Sequence, residues 1–376
     1  MTSSLTWEQV RAFRLGRQSL TVRRPPSEML SVAGELCGLH AQLMSSAELT
    51  VWARVEDLRP DAVRWALWEE RTLVKTWAMR GTLHLLPSSE YWMWQAALST
   101  YGHYLKPSWL KFFGATREDL DRLIEAVGQA LDGRLLTRQE LADAVAESTG
   151  SPDLAAKLLH SWGSMLKPPC FKGKLCFGPS SGQNVRFTSP EWWLGGRADV
   201  DPERAVDEVS RRFLASHGPA TRDDYGRWWA VSPAQALARI RRLGDEAVEV
   251  DVEGTRCWML AAHLSEAEAA TAPGTVNLVP AFDQYVIAAT RQAEHLMPGP
   301  FKGRIYRPQG WISPVLLVDG RMDGVWSHER KGSRVAVKLE PFVPLTSEAE
   351  ANAEREASRL AGFLDCDRCE FSVVRD

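Results

Sequence analysis

PERAVDEVSRRFLASHGPATRDDYGRWWAVSPAQALARIRRLGDEAVEVDVEGTRCWML, residues 202–260, reads as three helices followed by a β-hairpin. Helical periodicity runs from Pro202 to Ser216 and stops at His217-Gly218-Pro219, a strong helix breaker. Thr221, with Asp224 three residues on, predicts the N-cap of a short helix through Trp229. Ser232 followed by Pro233 opens a third helix that ends at Gly244. Two β-prone runs, Ala247–Asp251 and Thr255–Leu260, flank Glu253-Gly254, a pair suited to a tight hairpin. Helix, turn, helix, helix and hairpin in this order describe a winged helix.

The same grammar recurs upstream. Glu118–Leu131 is helical and stops near Gly133, Thr137 and Glu140 predict a capping box, and Ser151-Pro152-Asp153 opens a third helix. A hairpin is expected over Cys170–Phe177, around Gly173-Lys174. A more diverged copy comprises Ser27–Cys37, Ser45–Val55, Pro60–Glu70 and a hairpin over Leu73–Leu86 that turns near Arg80-Gly81. Three copies make an internal repeat, which is stronger evidence than any single one. A lone unit of this kind also suits a helical protein-interaction module. Tandem repetition, with Arg239, Arg241 and Arg242 late in one third helix, points towards nucleic acid. Arg80 and Thr82 at the first wing are candidate phosphate contacts or members of a simple turn, and His84 reads as a core histidine.

From about Thr275 the character turns to β. Val276–Val279, Trp311–Val318, Arg321–His328 and Arg334–Phe342 read as strands, then a helix from Ser347 to about Gly362 and a last strand at Glu370–Val374. The fold class expected is α+β, with three tandem winged helices and a C-terminal β-barrel. Boundaries fall at residues 1–115, 116–200, 201–265 and 266–376. The hairpin over Arg321–Phe342 should place Glu329-Arg330-Lys331-Gly332-Ser333 at its tip, where Arg330, Lys331 and Arg334 are either a DNA-contacting element or a solvated turn.

In the first copy the connection between helices one and two is enlarged and holds Gly38-Leu39-His40-Ala41-Gln42. In an extended segment every second side chain shares a side, so His40 and Gln42 point the same way. On a helix they would diverge by roughly 200°. Ser45 and Glu48 read as a capping box, which keeps the pair in the loop. A base-capable imidazole beside a carboxamide can hold and orient a water molecule. The alternative is a loop histidine and a glutamine bonded to the backbone. Asp283, in Pro280-Ala281-Phe282-Asp283, reads as a loop cap.

The chain carries 45 Lys/Arg against 48 Asp/Glu, a net charge of −3 over 376 residues, so it is not a basic nucleic-acid sponge. The balance is local: residues 301–338 carry a net +5, residues 1–24 a net +4, and residues 347–370 a net −4. A basic face permits an anionic partner without requiring one. No signal-peptide core or bilayer-length apolar run is visible, and the six dispersed Cys suit a reducing cytoplasm. Cys366-x-x-Cys369 lacks a second Cys/His pair at zinc spacing, so no metal site or cofactor is expected.

Gly38–Gln42, Met79-Arg80-Gly81-Thr82-Leu83-His84, Val279–Asp283 and Val335–Phe342 occur in an order that resembles the AlkZ-type (AlkZ- and YcaQ-like) winged-helix DNA glycosylases. The resemblance covers essentially the whole chain. It implies a C-shaped clamp on duplex DNA and monofunctional hydrolysis of the N-glycosidic bond of bulky N7-alkylguanine adducts or crosslinks. The implied partner is double-stranded DNA bearing such lesions, met by a monomer. The family uses Gln-x-Gln or, in YcaQ-like members, Gln-x-Asp. His40 and Gln42 depart from both and resemble a His-x-Gln subgroup linked to self-resistance against DNA-alkylating antibiotics. The chemistry agrees, because N7 alkylation makes the base cationic and weakens its bond to the sugar. What remains is to position water and stabilise a developing oxocarbenium ion. No lyase lysine is recognisable beside the motif, which favours water as nucleophile. The competing class is a non-catalytic DNA-binding protein, either a drug-sequestering factor or a transcriptional regulator. A regulator should be a dimer reading half-sites.

Overall fold

The computed structural model describes residues 3–289, 294–297 and 299–374 of a mixed α/β chain. Two compact units divide it. Met1–Ala62 joins Ser210–Asp376 in one, and Val63–Val209 forms the other.

Helix Pro202–His217 spans the boundary at Ser210, and in the discontinuous unit helices Arg222–Trp229 and Pro233–Arg242 precede strands Ala247–Val252 and Thr255–Leu260, in the expected order. Thr221 and Ser232 form capping boxes with Asp224 and Gln235, satisfying N–H groups that the first turn leaves open. Glu253 and Gly254 both take positive φ, 48° and 84°, which lets the hairpin turn in two residues. A further strand, Ser3–Leu5, pairs in parallel with Ala247–Val252. Helix Trp7–Arg17 follows, and Leu5, Trp7, Val10 and Phe13 pack on Val250, Val252, Cys257 and Met259.

The C-terminal sheet has five strands in the order Val276–Val279, Val315–Val318, Arg321–Lys331, Arg334–Pro341 and Arg368–Val373. Successive pairs are antiparallel except the last, which is parallel and connected through helix Ser347–Phe363. Leu278, Leu316, Val335, Val337 and Leu339 are buried, as are Ala353, Ala357 and Leu360 of the helix. The expected barrel is not found. Among the described residues the two outer strands are unpaired with each other, so the sheet stays open. Its second strand starts at Val315 rather than Trp311: Pro314 has no N–H for a ladder, and residues 306–312 close a loop of their own.

In the contiguous unit, hairpin Leu73–Trp77/Leu83–Pro87 precedes helices Arg117–Leu131, Arg138–Thr149 and Pro152–Leu159. Thr137–Glu140 and Ser151 cap as expected. The hairpin expected over Cys170–Phe177 lies later, at Cys176–Ser181/Asn184–Thr188. Lys167–Phe171 is instead a short helix. Gly173, at φ 69°, ends it: the Gly173 N–H reaches Cys170 O and the Lys174 N–H reaches Pro169 O. This is a Schellman cap, which uses the same left-handed glycine as a turn.

Candidate active site

Helix Met29–Glu35 must stop before His40 can enter an extended segment. It does so through a second Schellman cap, in which the Cys37 N–H donates to Gly34 O and the Gly38 N–H to Ala33 O. Cys37 occupies the left-handed position at φ 61°, an unusual place for a side chain with a Cβ, and Gly38 follows at φ 89°. Leu39–His40 then runs extended, and the next helix spans Met44–Trp52. The capping box expected at Ser45 and Glu48 is absent. Leu43 holds the N-cap position with no side-chain bond, and Ser45 lies within the first turn.

The two candidate residues share one loop but not one environment. His40 is only 4 % exposed, whereas Gln42 is open to solvent. The imidazole stacks on Phe282, with ring centroids 4.7 Å apart and planes 15° from parallel. Phe282 holds φ 58°, a strained setting for an aromatic residue. Asp283 beside it caps helix Gln284–Ala288 by accepting from the Tyr285 N–H at 2.9 Å. Gln284 turns its amide towards the candidate loop, where Nε2 donates to Gly38 O at 2.6 Å.

A buried ion pair fixes this segment. Both terminal nitrogens of Arg54 donate to Asp283, each at 2.7 Å, and both side chains are fully buried. Arg54 Nη1 also donates to Thr50 O at 3.0 Å, and Gln18 Oε1 lies 3.5 Å from Nη2. Gln18 Nε2 in turn reaches Ser216 O and His217 Nδ1, each at 3.1 Å. Bidentate guanidinium–carboxylate geometry makes such a pair directional. Arg54 follows the helix that leaves the candidate loop, and Asp283 sits between the two residues that touch the loop. One brace therefore holds both sides of the site.

Over residues 33–363 the chain matches the model for DNA glycosylase AlkZ-like proteins. The chain belongs to the AlkZ-like DNA glycosylase family. It is 38 % identical to the "Interstrand DNA cross-link repair glycosylase" of Streptomyces sahachiroi, across 98 % of this chain and 99 % of that protein. The solved structure of Streptomyces sahachiroi DNA glycosylase AlkZ superposes with a TM-score of 0.89 at 35 % identity, covering both chains in full. The chain is accordingly a DNA glycosylase.

In this AlkZ-like glycosylase the basic residues expected at DNA are spread over three elements. Arg330, Lys331 and Arg334 gather at one exposed hairpin end, where Lys331 pairs with Arg334 in register. The turn is only Gly332-Ser333, with Gly332 at φ 62°, so Glu329, Arg330 and Lys331 lie on the strand. Lys331 lies 3.1 Å from Glu329 and Arg334 3.4 Å from Glu370. Arg241 and Arg242 are exposed in the last turn of their helix, whereas Arg239 is half-buried. Arg80 sits in the left-handed region at φ 59° in the turn of hairpin Leu73–Pro87, and Thr82 Oγ1 donates to Met79 O at 3.0 Å. His84 is buried, with Nδ1 3.0 Å from Thr82 O. Among the described residues no helix is long and apolar enough to cross a membrane, and no cluster of three or more His, Cys, Asp or Glu could hold a metal. Sequence reasoning singled out Asp283 as a cap but missed Arg54, Phe282 and Gln284.

Proposed function

We propose that this glycosylase is monofunctional and hydrolyses the N-glycosidic bond of bulky N7-alkylguanine adducts or crosslinks in duplex DNA. His40 and Gln42 hold the attacking water. The observation that carries this reading is the braced loop, with a buried imidazole two residues from an exposed carboxamide. The name of the Streptomyces sahachiroi relative, a cross-link repair glycosylase, points to the same lesion class.

The cationic base leaves without a strong acid, so the protein's task is to aim a water at the sugar carbon as positive charge develops there. The Gln42 carbonyl oxygen can accept from that water, and the imidazole can accept a proton from it. Aiming requires a loop that does not move, which the Gly38–Gln284 bond and the His40–Phe282 stack supply. The loop itself carries no lysine, since none precedes Lys75, which favours water as nucleophile and an intact abasic strand as product.

In this reading three winged-helix units and the C-terminal sheet hold the duplex. Arg80, Thr82, Arg239, Arg241, Arg242, Arg330, Lys331 and Arg334 supply phosphate contacts. The protein works as a cytoplasmic monomer and confers self-resistance to an antibiotic that alkylates DNA. The test is incubation with duplex carrying N7-alkylguanine, scoring free base and alkali-labile sites. Release by the wild type, abolished in Gln42→Ala, is the expected result. Binding without release from simple or bulky adducts overturns it.

A further inference from the structure

The aromatic contact that begins at His40 does not end at Phe282. Trp311 meets the Phe282 ring edge-on, with centroids 5.1 Å apart and planes at 74°. The three rings form a short series in which the first two are buried and the third is 41 % exposed. Trp311 lies within about 10 Å of the imidazole, since the two spacings bound that distance.

Its loop is built to present it. Tyr306 and Ile312 close the loop as a bridge, and the Arg307 N–H donates to Trp311 O at 2.8 Å. Below the bridge Ile305 and Ile312 are buried, Ser313 Oγ donates to Arg304 O, and Tyr306 Oη donates to Val286 O at 3.0 Å on the helix that follows Asp283. Above it, Gln309 at φ 61° and Gly310 at φ 77° turn the chain sharply just before Trp311. A rigid base thus carries an exposed indole beside the exposed cation Arg307, in a stretch of net +5 where Arg304 pairs with Glu340. An indole held this way at a cationic surface suits a planar ring attached to an anionic polymer, because stacking needs a flat face and little else.

We propose that Trp311 is a stacking subsite for a planar aromatic portion of the lesion. The inference rests on the water-positioning role given above to His40 and Gln42. The glycosidic bond has to lie against that pair, and Phe282 separates the pair from Trp311. A group attached at N7 of the purine extends away from the scissile bond and can reach one ring further out. Trp311 therefore selects among adducts rather than acting on the bond.

The test compares wild type, Trp311→Ala, Trp311→Phe and Trp311→Leu in single-turnover release of N7-methylguanine and of an N7-guanine adduct bearing a fused-ring aromatic group. Affinity for the aromatic-adduct duplex and for undamaged duplex is measured in parallel. A stack contributes about 1–3 kcal/mol, so Trp311→Ala should lower the preference for the aromatic adduct over the methyl adduct by roughly 10-fold or more. Phe should restore most of it and Leu little. An equal loss on both adducts leaves the preference unchanged and overturns the proposal, whether or not Phe restores the rate. Retention of the preference in Trp311→Ala, or full function in Trp311→Leu, overturns the proposal. If the wild type releases neither base, the hydrolytic reading fails first, and the affinity ratio still reports on Trp311.

Discussion

The His40 imidazole lies face to face with the Phe282 ring, 4.7 Å between centroids, although the two residues belong to opposite ends of the sequence. A stacked, buried ring has few rotamers left, so its nitrogens stay where the fold puts them. The neighbouring Gln42 has no such packing around it. This contrast sets what each substitution should do.

Gln42→Ala should remove base release and little else. The side chain is exposed, so the core packs as before and the melting temperature should stay close to wild type. Misplacing the attacking water should slow single-turnover release on the order of 10²-fold. Rates near wild type at saturating enzyme would exclude Gln42 from the reaction.

His40→Gln should change the pH profile more than the maximum rate. If the neutral imidazole accepts from the water, protonating it switches the reaction off, and wild-type release falls on the acid side with a one-proton dependence. Glutamine can accept from the water but does not titrate. Measured with DNA binding saturated, a shared acid limb in both proteins would assign that limb to another group.

Asp283→Ala should destabilise the fold by about 3–5 kcal/mol, because it leaves the fully buried Arg54 guanidinium without its carboxylate. Urea unfolding measures this as a lower midpoint at unchanged slope. Replacing both partners with apolar residues should recover a good part of the stability, since it is the stranded charge that costs most.

Replacing Arg330, Lys331 and Arg334 together with Ala should weaken binding to damaged and undamaged duplex alike. Their carboxylate neighbours Glu329 and Glu370 are exposed, so those ion pairs are weak and compete poorly with phosphate. For every phosphate that the variant no longer neutralises, the salt slope should shrink by roughly 0.9. Affinity titrations at several salt concentrations check this, and an unchanged slope would leave the hairpin end as a solvated turn.

His295 should make stability sensitive to mild acid. Burial, helped by the Arg11 guanidinium, lowers its pKa from 6.5 to about 4, and the ring stacks on Trp7 at 3.7 Å. The unfolded chain therefore binds the proton more readily between those values. The contribution is fully present above 6.5 and disappears as pH falls from 6.5 towards 4. His295→Asn should flatten the stability–pH curve in that window. His103, His263 and His328, also lowered by burial, add slope of the same sign.

Features encoded by neighbours three residues apart are legible in the sequence. The pairs Thr137–Glu140 and Thr221–Asp224, and Ser232 ahead of Pro233, cap helices where the pattern places them, because such caps close through local bonds. Ser45–Glu48 has the same spacing, but the helix begins one residue before Ser45. Gly173 misleads for a different reason, since a helix end and a hairpin both need a left-handed residue. The His40–Gln42 loop stands out by residue type, yet its brace does not. Arg54 and Asp283 lie 229 positions apart, and no local pattern links them. Strand count suggests a barrel but does not reveal whether the outer strands meet.

The discontinuity of the unit that holds His40 has a consequence for the protein's birth on the ribosome. About 240 residues must be added after the His-x-Gln loop before Phe282, Asp283 and Gln284 exist, roughly 10–50 s at ordinary elongation rates. Val63–Val209 is contiguous and can fold during that interval, while the His-x-Gln loop waits without its support. A chain cut short between Gln42 and Phe282 carries the motif and Arg54 but lacks Phe282, Asp283 and Gln284. Interrupted synthesis therefore leaves the His-x-Gln loop without the partners that pack and brace it in the full chain.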